Sequence, residues 1–382
     1  MQSATTKPIT EDMQQKIEQF AGQVVTDLAA AMAGVMTNLG HKLGLYRAMA
    51  EGGPINSAEL ARRTATNERS VREWLNGQVA GGYVLFDRNT NRYVLPPEHA
   101  FVLANPDSPA FLPPAFDVAA SLWHDEDKIL TAFRSGEGLG WHEHNCRLFT
   151  GTEAFFRNGY RAHLTQTWIP SLRGVWEQLV NGGRVADVGC GHGASVILMA
   201  QAFPKSRFVG IDYHESSIAV ARERAKEAGV ADQIRFEVAT PRMLASSQEK
   251  FDLVCFMDSL HDIGDPLEAV WASRQAMAPD GALMLVEPFA KDRAEENAGP
   301  VARLYYSASV GLCTQNALSQ GGRYSLGAQA GATQLLAILK DAGFQSARVT
   351  METPFNLILE ARPRARIQLR AGRQLQVVGR YR

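Results

Sequence analysis

The sequence lacks the features that mark several protein classes. Its four cysteines are widely spaced and form no C-x-x-C pair, which argues against a zinc knuckle or a disulfide framework. The N-terminus has no basic segment followed by an apolar run, so we predict no signal peptide. The most apolar stretch, residues 28–35, is far shorter than the roughly 20 residues that span a bilayer. We therefore expect a cytoplasmic protein without a membrane segment.

An excess of charge of either sign is also missing, because 39 Lys and Arg residues balance 40 Asp and Glu residues. A whole-chain basic field that would attract nucleic acid is thus absent. The balance is uneven along the chain, since residues 361–382 contain seven arginines and no acidic residue. The body of the protein is therefore mildly acidic, and we expect residues 364–382 to form a disordered tail.

The length of 382 residues suits two or three domains. Residues 11–50 are predicted to be helical, and residues 24–49 are apolar on more than one face, which favours burial against a neighbour or a second subunit and hence a homodimer. Ser57 is a predicted helix N-cap, a second helix covers residues 68–79, and a hairpin follows at residues 83–95, as in a winged helix. We assign residues 1–108 to a helical dimerisation and winged-helix domain.

Residues 109–180 are predicted to form a helical connector and pocket cap, with residues 96–114 as a proline-rich connection. From residue 181 to 363 strands and helices alternate, which is typical of an α/β fold with a parallel sheet. The predicted strands cover residues 184–188, 207–211, 234–238, 253–256 and 282–286, followed by a hairpin at 347–351 and 355–361.

A glycine-rich turn carries the strongest functional signal. A buried strand ends at Asp187 and Val188, and Gly189, Gly191 and Gly193 follow before a helix begins. Glycines let the backbone approach a ligand, and the helix N-terminus offers N–H groups to an anion. The next strand ends at Asp212, an acid that can accept both hydroxyls of a ribose. The spacing also satisfies the looser dinucleotide fingerprint, so a nicotinamide enzyme is an alternative.

The pattern Asp-x-Gly-x-Gly-x-Gly resembles motif I of class I S-adenosylmethionine-dependent methyltransferases. The resemblance implies a Rossmann-like methyltransferase sheet behind the winged-helix domain, and S-adenosyl-L-methionine as the cofactor. It covers roughly residues 15–362 and is closest to an actinobacterial-type branch. The cofactor-binding residues that it implies are Asp187, Gly189, Cys190, Gly191, Gly193, Asp212, Tyr213, Thr240 and Asp258.

His261 follows the fourth strand, at the sheet edge where ligands collect. The segment Leu-His-Asp-Ile-Gly-Asp at residues 260–265 resembles the L-H-D-W-x-D segment of small-molecule O-methyltransferases. That resemblance implies that His261 is the general base and that Glu287, after the next strand, orients it. Ile263 replaces the aromatic residue of the family, and residues 327–331 contain no counterpart of its second acid. From the residues alone, His261 could equally cap a helix or line a pocket.

These observations predict methyl transfer to a small molecule, with a hydroxyl of an aromatic or polyketide-like metabolite as acceptor. Aromatic side chains suit a planar acceptor, and the predicted substrate pocket comprises Trp141, Phe156, Tyr160, Tyr305 and Tyr306. Methyl transfer to nitrogen or carbon, and a non-enzymatic regulator that binds cofactor and DNA, are the alternatives.

Two further features favour plainer interpretations. His142 and His144 form an H-x-H pair without a third ligand, so we predict a pocket rim and no metal site. Arg69 and Arg72 of the second winged-helix helix are balanced by Glu68 and Glu73, which argues against DNA binding.

Overall fold

The computed structural model describes residues 9–322 and 324–364 of the chain. The chain divides into two compact units. The N-terminal unit contains residues 9–128 and 143–163, and the C-terminal unit contains residues 129–142 and 164–364. The predicted disordered tail lies outside the described residues except for Arg364.

The N-terminal unit is helical apart from one small hairpin. Its elements are α1 (Glu11–Lys42), α2 (Leu45–Gly52), α3 (Ser57–Thr64), α4 (Glu68–Ala80), β1 (Leu85–Asp87), β2 (Arg92–Val94), α5 (Pro97–Leu103), α6 (Ala115–His124) and, after α7 (Glu126–Ser135) has led into the C-terminal unit, α8 (Arg147–His163). Helices α2 to α5 and the hairpin share one buried apolar cluster that includes Leu45, Leu60, Leu75 and Tyr93. This arrangement has the helices and wing that the sequence predicts.

Three local predictions need correction. The first helix does not run unbroken to residue 50, because Gly44 adopts a left-handed φ of 70° and separates α1 from α2. Asn56, not Ser57, caps α3: its side chain accepts from Glu59 N–H and Glu59 accepts from Asn56 N–H, a complete capping box. Part of the predicted proline-rich connection forms the helix α5. Pro97 lies in its first turn, where a backbone N–H has no partner within the helix, so proline is tolerated there.

The C-terminal unit alternates strands and helices. Its elements are α9 (Ile169–Ser171), α10 (Val175–Asn181), β3 (Arg184–Val188), α11 (Ala194–Ala202), β4 (Arg207–Asp212), α12 (Glu215–Glu227), β5 (Ile234–Val238), β6 (Phe251–Met257), α13 (Pro266–Gln275), β7 (Met277–Pro288), α14 (Pro300–Ala308), α15 (Thr314–Ser319), α16 (Gly331–Asp341), β8 (Ser346–Glu352) and β9 (Asn356–Arg362). A 3-10 turn covers Leu260–Asp262, and π-helical turns cover Leu164–Trp168 and Ser309–Cys313.

The seven strands form one sheet in the order β5-β4-β3-β6-β7-β9-β8. Strands β3 to β7 pair in parallel, whereas β9 pairs antiparallel with β7 and β8. The chain moves outward from β3 to β5 and then returns to the other side of β3 with β6. This reversal creates the crevice at the carboxyl ends of β3 and β6, where ligands bind in open α/β sheets.

The sheet core explains why the strands are nearly continuous apolar runs. Residues of β3, β6 and β7 such as Val188, Val254, Phe256, Leu283 and Leu285 are fully buried because the sheet is covered on both faces. Each predicted strand is present, and β7 extends beyond its predicted bounds at both ends. The predicted fold class, a Rossmann-like sheet with a helical and winged-helix N-terminal region, is confirmed.

Candidate functional site

The glycine turn lies at the carboxyl end of β3 and leads directly into α11. Gly189, Gly191 and Gly193 have left-handed φ values of 75°, 51° and 80°. At Gly189 a Cβ atom would lie 2.6 Å from the Cβ of Ser259, whereas at Gly191 no atom lies within 4 Å of such a position. Gly189 is therefore required by close packing against the segment after β6, and Gly191 borders open space.

Asp212 closes the turn from the end of β4. Its Oδ2 accepts the N–H of Gly191 at 2.9 Å, and its Oδ1 accepts the N–H of His214 at 2.9 Å. Burial raises the pKa of Asp212, and these two hydrogen bonds oppose that rise. The carboxylate thus holds the turn while lying at the sheet edge where the sequence predicts a ribose contact.

Asp187 is fully buried beneath the turn. Its Oδ2 accepts the hydroxyl hydrogen of Ser195, the second residue of α11, at 2.5 Å. Its Oδ1 has no hydrogen-bond partner among the described residues. Burial raises the pKa of Asp187 to about 7, since a charged carboxylate is costly without water. With no exposed atom, Asp187 is placed to position the turn.

His261 and Glu287 form a buried pair at the ends of β6 and β7. The two strands are neighbours, with Met257 opposite Val286, so the residues that follow them meet. Glu287 Oε2 lies 2.6 Å from His261 Nδ1, and Glu287 Oε1 accepts the N–H of Leu260 at 3.0 Å. The carboxylate therefore sets both the imidazole ring and the backbone of the 3-10 turn that bears it.

The charges around His261 favour its protonated form. Burial by itself lowers the pKa of His261. The carboxylates of Glu287 and Asp262 together raise it by more than burial lowers it, so the pKa lies well above the usual value. Asp262 Oδ1 lies 3.5 Å from His261 Nε2. The site thus stabilises a positive charge on the imidazole.

Asn316 on α15 connects three parts of the site, and the sequence analysis missed it. Its Oδ1 accepts the N–H of Trp141 at 3.1 Å and the hydroxyl hydrogen of Tyr213 at 3.2 Å, while its Nδ2 donates to the carbonyl of Asp262 at 2.9 Å. The structure therefore brings Trp141 and Tyr213 close to the His261 turn. No local motif marks Asn316, because its role depends on segments distant in the chain.

The remaining predicted residues of the C-terminal unit lie at strand ends or on α14. Asp258 has a φ of 51° and accepts from Asn356 Nδ2 at 2.8 Å. Tyr305 is buried and donates its hydroxyl hydrogen to the carbonyl of Phe355, while the adjacent Tyr306 is exposed. Cys190 is buried within the turn, and Thr240 is exposed just beyond β5.

Phe156 and Tyr160 belong to the N-terminal unit, where their rings stack on α8 with centroids 6.0 Å apart. His144 is in the same unit, and its Nδ1 lies 3.2 Å from the buried Asp125 carboxylate. The H-x-H pair is divided, since His142 belongs to the C-terminal unit.

On α4 the arginines pair with acids of the same helix, Arg69 with Glu73 and Arg72 with Glu68. The arginines of α4 are therefore neutralised by glutamates of the same helix, which gives the near-neutral surface that the sequence predicts. Glu59 of α3 pairs with Arg92 of β2, so this ion pair joins a helix to the hairpin.

Helix α1 is the one described helix that is long and apolar enough to cross a membrane by length and composition. This is weak evidence, because long helices of proteins outside membranes also meet this criterion. Its apolar window is only 11% buried.

Comparisons with known proteins agree with this architecture. Residues 30–105 match the family described as Rv2258c-like winged HTH domain, and residues 179–331 match the family described as methyltransferase domain. The 27-O-demethylrifamycin SV methyltransferase of Amycolatopsis mediterranei is 34% identical over 104 residues, which are 27% of this chain and 38% of that protein. The chain spans less than half the length of the first curated relatives that it matches.

Solved structures share the fold over most of the chain. An O-methyltransferase family protein from Burkholderia thailandensis has a TM-score of 0.67 and 13% identity, covering 90% of this chain and 98% of that one. Human N-acetylserotonin methyltransferase in complex with S-adenosylmethionine has a TM-score of 0.61 and 16% identity, covering 95% and 99%. The resemblance inferred from the glycine turn is thereby confirmed at the level of domains and fold. The chain carries an Rv2258c-like winged HTH domain followed by a methyltransferase domain.

Proposed function

We propose that the protein is an S-adenosylmethionine-dependent methyltransferase that acts on a hydroxyl of a small aromatic or polyketide-like molecule. The observation that carries the proposal is the buried His261–Glu287 pair beside the glycine turn of a methyltransferase domain. The named activities of the similar proteins, a rifamycin methyltransferase and an N-acetylserotonin methyltransferase, support a small-molecule acceptor.

The glycine turn and its acid fit S-adenosylmethionine. Space around Gly191 lets a ligand approach the backbone, and the Asp212 carboxylate beside it can accept ribose hydroxyls. Asp187 positions the turn through Ser195, and Tyr213, Thr240 and Asp258 stand at the same sheet edge. When bound, the cofactor supplies a methyl group already activated on a sulfonium.

The protein's own contribution is then orientation and proton removal. Glu287 holds the Nδ1 side of the imidazole, which leaves Nε2 of His261 as the atom that accepts the proton of the acceptor hydroxyl. Positioning of two reactants can supply about 7–11 kcal/mol of the barrier. Trp141, Tyr305 and Tyr306 of the C-terminal unit are our candidates for contacts with the acceptor.

The proposal is tested by calorimetry followed by a methyl-transfer assay. We expect S-adenosylhomocysteine to bind with micromolar affinity or better and NAD not to bind at the same concentrations. With methyl-labelled S-adenosylmethionine, label should pass to phenols in a panel that also contains amines and carbon nucleophiles. Transfer only to amines or carbon would contradict O-methylation, and cofactor binding without transfer but with a DNA gel shift would favour a regulator.

We also propose that the chain is a cytoplasmic homodimer formed through α1. Eight exposed apolar residues of α1 recur every three or four positions and form one stripe: Met13, Ile17, Phe20, Val24, Leu28, Met32, Val35 and Leu39. Val25 and Met36 are exposed as well and widen it. This spacing is the pattern of helices that pair with helices. The buried residues Gly34, Thr37 and Gly40 lie on the other side and pack against the helix's own unit. All four cysteines are free, which suits a reducing compartment.

A second copy fits the stripe better than a lipid bilayer does. Asp27 lies among the apolar residues, and a carboxylate near the centre of a bilayer costs several kcal/mol. At a helix pair the same carboxylate can remain at the solvated rim. The C-terminal part of α1 is fastened to its own unit, because Asn38 and Lys42 both bind Asp117.

Light scattering of the purified protein should therefore give twice the chain mass of 41.8 kDa. Replacing Leu28 and Met32 with Lys introduces two charges into the stripe and should yield a monomer. Gln23→Lys is the matched control, because Gln23 is on the opposite side of α1 and its variant should stay dimeric. A monomeric wild-type protein, or one that floats with lipid vesicles, would contradict the dimer.

A further inference from the structure

We infer that His261, Asp262 and Cys313 form a binding site for one borderline-soft divalent cation of the Zn²⁺ type. One ring nitrogen of the histidine, a carboxylate oxygen and the thiol sulfur all lie within 4.8 Å of one another. Because Nδ1 is bound by Glu287, Nε2 is the nitrogen available to a cation. Tetrahedral zinc, with bonds of about 2.0–2.3 Å, places its donor atoms about 3.3–3.7 Å apart. The distance of 3.5 Å between His261 Nε2 and Asp262 Oδ1 already matches that spacing.

Two short non-α turns bring the three donors together. His261 and Asp262 lie on the 3-10 turn after β6, and Cys313 ends the π-helical turn that precedes α15. The turns are tied to each other, since Asn316 and Gln320 both donate to the carbonyl of Asp262 at 2.9 Å. The donors are thus held by the folded scaffold, and π-helical turns are frequent at functional sites.

The surroundings favour a cation. Asp262 Oδ1 is buried and makes no hydrogen bond among the described residues; its charged neighbour is His261 Nε2 at 3.5 Å, and Cys313 and Trp141 hydrogen-bond to the carboxyl group. Glu287 binds Nδ1 of His261, which is how a carboxylate commonly orients a zinc-bound histidine and turns its Nε2 toward the metal. Metal binding requires the neutral imidazole, so a bound cation would replace the proton of His261 in compensating the charge of the two carboxylates.

The donor set determines the class of cation. One nitrogen, one oxygen and one sulfur ligand suit Zn²⁺, while Mg²⁺ and Ca²⁺ prefer oxygen ligands alone. Three protein ligands leave a fourth position open. A cation on Nε2 prevents this atom from accepting a proton, so occupancy should inhibit the proposed methyl transfer. The sequence gives no sign of this site, because Cys313 is far along the chain from His261 and outside any metal-binding motif.

The test is titration of the full chain, purified without a histidine tag, with Co²⁺ as a spectroscopic probe for Zn²⁺. We expect one equivalent to bind with the visible bands of tetrahedral cobalt and a near-ultraviolet thiolate-to-cobalt band. Cys313→Ser should lose the thiolate band, and Asp262→Asn and Glu287→Gln should weaken binding about 10–100-fold. Cys146→Ser, which removes the exposed cysteine, is the matched control and should match the wild type.

Several outcomes would overturn the site. These are the absence of a saturable equivalent, an unchanged thiolate band in Cys313→Ser, or displacement of Co²⁺ by millimolar Mg²⁺. Thermal unfolding shows whether each variant is folded. If Cys313→Ser does not fold, the affinity of Asp262→Asn for Co²⁺ tests the site instead. The titration contains neither cofactor nor acceptor, so its result does not depend on whether the protein transfers methyl groups.

Discussion

His261→Ala is expected to lower kcat for methyl transfer to a phenolic acceptor by about 10²–10⁴-fold, the range that a positioned general base contributes. Affinity for S-adenosylhomocysteine should stay within about twofold, since His261 makes no hydrogen bond to the glycine turn. The two measurements are steady-state kinetics and calorimetry on the same preparations. An unchanged kcat with a phenolic acceptor would remove His261 from the chemistry.

The alanine variant leaves the buried Glu287 without its imidazole, so a fold defect must be separated from a chemical one. His261→Asn keeps an N–H group near the carboxylate but cannot accept the proton, and it should be as inactive as the alanine variant. His99→Ala, at a partly exposed histidine of the N-terminal unit, is the control that should retain full turnover. Thermal unfolding of all three variants identifies any loss of folding.

The pH dependence gives an independent measure of the same role. The imidazole accepts a proton only when neutral, so turnover should rise with pH through the elevated pKa of His261. Glu287→Gln removes one of the charges that raise this pKa, so the rising limb should move to lower pH. The plateau should also fall, because the ring is less well oriented. A limb that does not move in Glu287→Gln would contradict the assigned pair.

The parts of the site that could be predicted are those carried by the parallel sheet. In such a sheet the carboxyl ends of neighbouring strands meet, so Gly189, Asp212, His261 and Glu287 could be placed at one edge from strand order alone. Asn316 and Cys313 could not, because they come from a helical segment whose docking depends on packing. Their side chains carry no periodic signal.

Local features failed for similar reasons. Asn56 and Ser57 are both good N-caps, and the choice depends on the capping box that Glu59 completes with Asn56. The break between α1 and α2 required knowledge that Gly44 adopts a left-handed conformation. The apolar composition of α1 could be seen in the sequence. That its exposed apolar residues lie on one side could be recognised only once the structure showed that Gly34, Thr37 and Gly40 are buried.

Gly189→Ala should destabilise the C-terminal unit by about 2–5 kcal/mol and abolish measurable binding of S-adenosylhomocysteine. A left-handed φ costs an alanine about 1–2 kcal/mol. The added Cβ would lie 2.6 Å from the Cβ of Ser259, and overpacking of this kind costs about 1–3 kcal/mol more. Relief of the contact must shift the turn that we propose holds the cofactor. Urea unfolding followed by calorimetry measures both effects.

A double-mutant cycle separates the two costs. Gly191→Ala lies in the same turn with a φ of 51° and no atom within 4 Å of its Cβ, so it should show only the conformational cost. Ser259→Gly removes the clashing Cβ, and in the Gly189→Ala background it should restore part of the lost stability. In the wild-type background it should destabilise, because Ser259 donates its hydroxyl hydrogen to the carbonyl of Val188. Opposite signs in the two backgrounds are the signature of direct contact between the turn and the His261 segment. Additive effects would mean that the two strand ends are not packed as described.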